Sequence, residues 1–175
     1  MNLKPQDVVV LLKLVSQGQP SSYSALASQL SMSASEVHAG MRRATESGLL
    51  DPVSNMPIRA ALQEFLLHGL RFVYPPKRGP ITRGIPTGYA APPLSEHFSQ
   101  SANEPPPVWP DPEGSTKGYA LFPLYPSVPK AVRQDKLLYE LLALVDAVRE
   151  GRARERALAG EQLKALLEND EISQS

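Results

Sequence analysis

The chain contains no cysteine. That excludes a disulfide framework, thiolate metal sites and a cysteine nucleophile, and it fits a reducing, cytoplasmic compartment. No run approaches the roughly 20 apolar residues that cross a bilayer, so no membrane partner is expected. Residues 1–7 lack the charged-then-apolar layout of an export signal. Phosphate-cradling glycine loops, a nucleophile elbow and a kinase set are missing as well. His38, His68 and His97 are too scattered to share a metal. The carboxylates of the acidic tail alternate with bases and form no apolar-flanked pair, and Asp111 and Glu113, beside Trp109, are the only acidic pair in an aromatic setting. Neither enzyme chemistry, a metal nor a cofactor is expected.

An excess of one charge is also missing: the formal net charge is zero. The two halves differ, however. Residues 1–90 hold nine Lys/Arg against five Asp/Glu, and residues 91–175 hold nine against thirteen. A basic first half beside an acidic second half suits a polyanion-facing module joined to a module with another task.

What is abundant is proline, and it divides the chain. Fourteen of the eighteen prolines fall in residues 75–129. Proline fixes φ and removes a donor, so this part cannot be a long helix or a central strand. It nevertheless carries Trp109, Tyr119, Phe122 and Tyr125, which a solvated linker would not. It reads as an extended strap (74–129) whose aromatic side chains dock on helices. Residues 1–73 and 130–170 read as helical, so the fold class expected is mainly α.

In the first part, Pro5 opens a helix that Gly18 ends, with Val8, Leu11, Leu12 and Val15 as its apolar stripe. Ser22 caps a short helix, Tyr23 to Leu30, and Ser33 with Glu36 forms a capping box for a third helix over 33–47. Leu26, Ala27, Leu30, Met32, Val37 and Met41 are spaced to close two helices on each other. The face with Ser35, His38, Ala39, Arg42 and Arg43 is then left outward.

The stretch from Leu26 through Ala27, Leu30, Met32, Ser33, Val37 and Met41 to Gly48-Leu49-Leu50 resembles the winged helix-turn-helix of bacterial MarR and AsnC/Lrp regulators. The resemblance covers residues 21–50 only. It departs from the pattern at Ser31, where glycine is usual, and at Gly40 inside the third helix. It implies double-stranded DNA as partner, with the third helix in the major groove and contacts from Ser33, Ser35, His38, Ala39, Arg42 and Arg43. For His38 a solvated side chain is the commoner case.

A wing is not evident directly after Leu50. A fourth helix starts at Pro57 and closes at Gly69. The next candidate is a displaced wing hairpin at 71–85, with Arg71–Tyr74 paired to Ile81–Ile85 and Lys77 and Arg78 at a basic tip that meets the DNA backbone or simply solvent. From Lys130 to Arg149 apolar residues cover more than half of a helix, and a second helix follows Gly151. This C-terminal helical hairpin is expected to assemble a homodimer or to hold a foreign protein. Arg152, Arg154 and Arg156 make either a partner site or an ordinary charged surface. The expected function is a DNA-binding transcriptional regulator. The alternative is an antitoxin-like or defence-associated protein whose C-terminal half binds a partner, with DNA binding used for autoregulation.

Overall fold

Pro5 at the first turn and Gly18 just past the last delimit α1 (Pro5–Gln17). This computed structural model describes residues 2–99 and 103–169. Residue 170, the expected end of the C-terminal helical part, lies outside them. Then come α2 (Tyr23–Leu30), α3 (Ala34–Glu46), α4 (Arg59–His68) and the single turn α5 (Leu70–Val73). Three short strands follow: β1 (Arg78–Pro86), β2 (Pro107–Pro110) and β3 (Thr116–Leu121). The chain closes with α6 (Val128–Val132), α7 (Lys136–Glu150) and α8 (Ala153–Glu168). Helices dominate, as expected, and none is long and apolar enough to cross a membrane among the described residues.

The core sits around α1 and α7. Beyond the expected stripe, Val9, Val10 and Leu14 of α1 are buried too, because α3 packs on one side of the helix and α7 on another. In α7 every residue from Leu141 to Arg149 is buried. Its wide apolar surface is covered by α1, α8, α5 and the turn at Gly88–Ala90. The apolar surplus that pointed to a homodimer through the C-terminal helices is therefore filled within one chain. The expected continuous helix over 130–149 is also broken into α6 and α7. At the break Asp135 Oδ1 accepts the Leu138 N–H (2.9 Å) and caps α7, while Oδ2 receives Lys13 Nζ (2.7 Å) and Ser16 Oγ (2.6 Å) from α1.

Burial alone would raise the Asp135 carboxyl, but the hydrogen bonds from Lys13, Ser16 and the Leu138 amide, with the Lys13 charge, outweigh it and hold it below the usual carboxylate range. Its folded value is thus lower than its unfolded value. The stability it contributes is present above the ordinary carboxylate pKa and is lost as pH falls through the lowered one. Asp135→Asn should flatten the acid limb of the stability–pH profile in urea titrations. An unchanged limb would refute this role.

The proline-rich part folds more than a strap requires. β1 pairs antiparallel with β2 (Ile85 opposite Trp109) and with β3 (Thr82 opposite Gly118), and β2 and β3 pair in parallel, closing a miniature barrel. Prolines are tolerated here because Pro80 falls at a register shift and Pro86, Pro107 and Pro110 end their strands. So tight a closure leaves no interior for side chains. A Cβ at Gly84 would lie 2.1 Å from the Trp109 carbonyl oxygen, and one at Gly118 2.0 Å from that of Pro106. The expectation of docked aromatics holds for Trp109, which is buried with its ring 5.6 Å from that of Tyr139 on α7, but not for Phe122, which is 45% exposed. Burial pushes the Tyr139 hydroxyl up to about 12.

The displaced wing hairpin at 71–85 is not formed. Residues 70–73 close a helical turn, with the Phe72 and Val73 amides bonded to Gly69 O and the Tyr74 amide to Leu70 O, so these donors are not free for a ladder. A four-residue apolar alternation fits a helical turn as well as a strand, and β3 supplies the partner for β1 instead.

Candidate nucleic-acid interface

Local chemistry orients α3. The Ser33 hydroxyl accepts the Glu36 N–H (3.1 Å) at its start. Val37, Met41 and Ala44 then face inward at 0%, 5% and 1% exposure, so the opposite side is outward by periodicity. Before it, Ser31 takes the left-handed conformation (φ 53°) where glycine is usual in the pattern. A side chain there costs roughly 1–2 kcal/mol. Ser31→Gly should therefore raise the unfolding midpoint, by about 1 kcal/mol in stability. A lower midpoint would mean that the Ser31 side chain holds the turn.

Of the expected DNA contacts, Ser33, Ser35, His38 and Arg42 are exposed on this face and Ala39 is half-buried. His38 rests edge-on against the Tyr23 ring of α2 at 5.2 Å. Arg43 is not on the face. Its guanidinium turns inward and grips Asp7 of α1 with two bonds, Nε to Oδ2 at 2.7 Å and Nη2 to Oδ1 at 2.8 Å. Asp7 is fully buried, and its Oδ2 also accepts the Lys4 N–H (2.9 Å). The Asp7 hydrogen bond raises the Arg43 pKa against the opposing effect of burial, so the guanidinium stays charged. Gly40, out of place in a helix by propensity, makes this approach possible: a Cβ there would stand 2.7 Å from Asp7 Oδ1.

Lys77 and Arg78 are exposed but belong elsewhere. Arg78 pairs with Glu150 of α7 and lies over the Tyr119 ring, 4.7 Å from its centroid. Tyr119 OH donates to the same Glu150 oxygen (2.9 Å), and burial pushes both the Glu150 carboxyl and the Tyr119 hydroxyl up. Both cations are part of β1 or its approach, beside α7, whereas α3 packs on α1 and α2.

A hairpin does follow α3, earlier and smaller than expected. Leu50 bridges Pro57, Leu49 O accepts the Ile58 N–H (2.8 Å), and Met56 O accepts the Asp51 N–H (2.9 Å). Asp51 Oδ1 takes the amides of Val53 and Ser54, and Asn55 closes the tip with φ 57°. Val53, at the tip, is 92% exposed. Together α2, α3 and the hairpin enclose a shallow cleft of about 260 Å³ whose lining includes Tyr23, His38, Arg42, Thr45, Pro52 and Asn55 and also the acidic Glu46. Comparison with protein-family models, curated proteins and solved structures finds no match to this chain. The hairpin had a signal in the sequence: an aspartate and an asparagine four apart between Leu49-Leu50 and Met56–Ile58, which is the chemistry of a tight turn.

Tyr125, from the chain after β3, adds one link. Its hydroxyl donates to Glu36 Oε2 (2.5 Å), and that hydrogen bond raises its own pKa. The proline-rich part thus holds the N-terminal turn of α3 from outside.

Proposed function

We propose that the chain is a DNA-binding transcriptional regulator of the winged helix-turn-helix kind, with α3 in the major groove and the 51–55 tip beside it. The observation that carries this reading is the outward face of α3, where Ser33, Ser35, His38 and Arg42 stand exposed beside a hairpin that follows the helix directly. Two helices crossing closely, with the second one free on one side, present side chains at the depth that base edges require. The serines at the start of α3 suit phosphate contacts and Arg42 suits either a phosphate or a guanine edge.

The face is sparing in charge. Arg43 is committed to Asp7, so Arg42 is the one arginine of α3 on the surface. Affinity for random duplex should therefore be modest and weakly salt-dependent. Arg42→Ala should weaken binding and lower the slope of log K against log salt by about 1, the share of one phosphate contact. Fluorescence anisotropy with labelled duplex over a salt series measures both. If affinity and slope are unchanged, α3 does not face DNA.

A further inference from the structure

We propose that the groove between α5, the end of β3 and the start of α1 is a docking site for an acidic amphipathic segment of another protein. Exposed apolar side chains gathered along one groove are a mark of a docking site. Here Val73 is 57% and Phe122 45% exposed, and both line one groove of about 250 Å³ with Tyr74, Leu124 and Pro5. Phe72, next in α5, is 69% exposed.

The groove is built firmly. The Phe122 N–H is bonded to Lys77 O (3.0 Å), and its ring lies so close over Gly79 that a Cβ there would be 3.0 Å from Cζ. From beneath, Arg149 donates to Tyr74 O (2.9 Å) and Pro75 O (3.3 Å), fixing the backbone of the floor. A fixed aromatic and a branched aliphatic side by side are the anchors that helix-in-groove recognition uses.

Charge selects the occupant. Lys77 lines the groove and Lys4 directly precedes Pro5 of its lining, while Arg71, over the Phe72 ring at 4.4 Å from its centroid, lies outside the lining on the same short helix. No Asp or Glu lines the groove, and these three cations have no carboxylate partner among the described residues. An isologous second copy would set this cation-bearing surface against the same surface, with no carboxylate in the groove to balance it, which disfavours self-pairing. Duplex DNA would satisfy the cations but has nothing to cover Val73 and Phe122. A segment with apolar anchors on one face and carboxylates on its flanks satisfies both.

The test uses the full chain and two synthetic peptides of roughly 18 residues, long enough for marginal helix formation. Both carry Leu and Phe at the same i, i+3, i+4 and i+7 positions, with Glu elsewhere in one and Lys in the other. By titration calorimetry the Glu peptide should bind at least about ten-fold more tightly than the Lys peptide, and Phe122→Ser and Lys77→Glu should each weaken it by about ten-fold. Both substitutions are at exposed positions, so an unchanged unfolding midpoint shows that the fold is intact. Equal binding of the two peptides, or full binding by Phe122→Ser, overturns the proposal. So does self-association of the chain that Phe122→Ser abolishes, or displacement of the Glu peptide by duplex DNA in the Arg42→Ala background. The groove contains no residue of the α3 face, so its failure and that of DNA binding are separable.

Discussion

Arg43→Ala should lower stability by about 3–5 kcal/mol, whereas its neighbour Arg42→Ala should change it by less than about 0.5 kcal/mol. The contrast follows from one helical step of about 100°, which sends Arg42 outward and Arg43 inward. Removing the Arg43 guanidinium leaves the Asp7 carboxylate fully buried with only the Lys4 amide for a partner. The penalty for an uncompensated buried charge then falls on the packing of α1 against α3. Deleting both partners is a different perturbation. Asp7→Leu with Arg43→Met replaces the pair by apolar groups of similar size and should restore most of the loss, since a buried pair is worth little over a well-packed apolar substitute. A double-mutant cycle by urea unfolding measures this. A loss at Arg43 no larger than at Arg42, or two single losses that merely add, would show that the pair is not coupled.

The same pair shows what was legible in the sequence. Helix ends could be read because they depend on local chemistry: Pro5, Gly18, Ser22, Ser33 and Gly69 each act on their own backbone, and the ends fall beside them. Which charged side chain of α3 turns inward could not be read, because Asp7 lies 36 residues away and only the tertiary crossing brings it to Arg43. Gly40 was the available clue, since a helix interior tolerates glycine best where something must come close. The barrel was hidden for a similar reason. Its closure depends on Gly84 and Gly118 meeting distant carbonyls, which no local period encodes. The hairpin after α3 is hard to read despite its turn residues, because two apolar residues on either side are too few to show alternation.

Asp146→Ala should be the other severe substitution, with a loss of at least about 3–5 kcal/mol. Asp146 is 2% exposed, and three parts of the chain meet on its carboxylate. Oδ2 accepts Thr87 Oγ1 (2.8 Å) and Trp109 Nε1 (2.7 Å) from the barrel region, and Oδ1 accepts Arg149 Nη1 (3.0 Å) from its own helix. Truncation leaves a guanidinium that is only 9% exposed without its counter-charge. It also leaves two buried neutral donors unsatisfied, each costing about 1–3 kcal/mol. Asp146→Asn keeps an acceptor but loses the charge, so it should fall between wild type and alanine. Trp109 is the only tryptophan, which makes the effect directly visible: its emission should shift to the red in Asp146→Ala below the global unfolding transition if the barrel region leaves α7 first. Because Arg149 also fixes Tyr74 and Pro75, that variant should lose Glu-peptide binding in the same denaturant range. An unshifted Trp109 emission together with an unchanged midpoint would mean that apolar packing, not this carboxylate, holds the barrel to the helices.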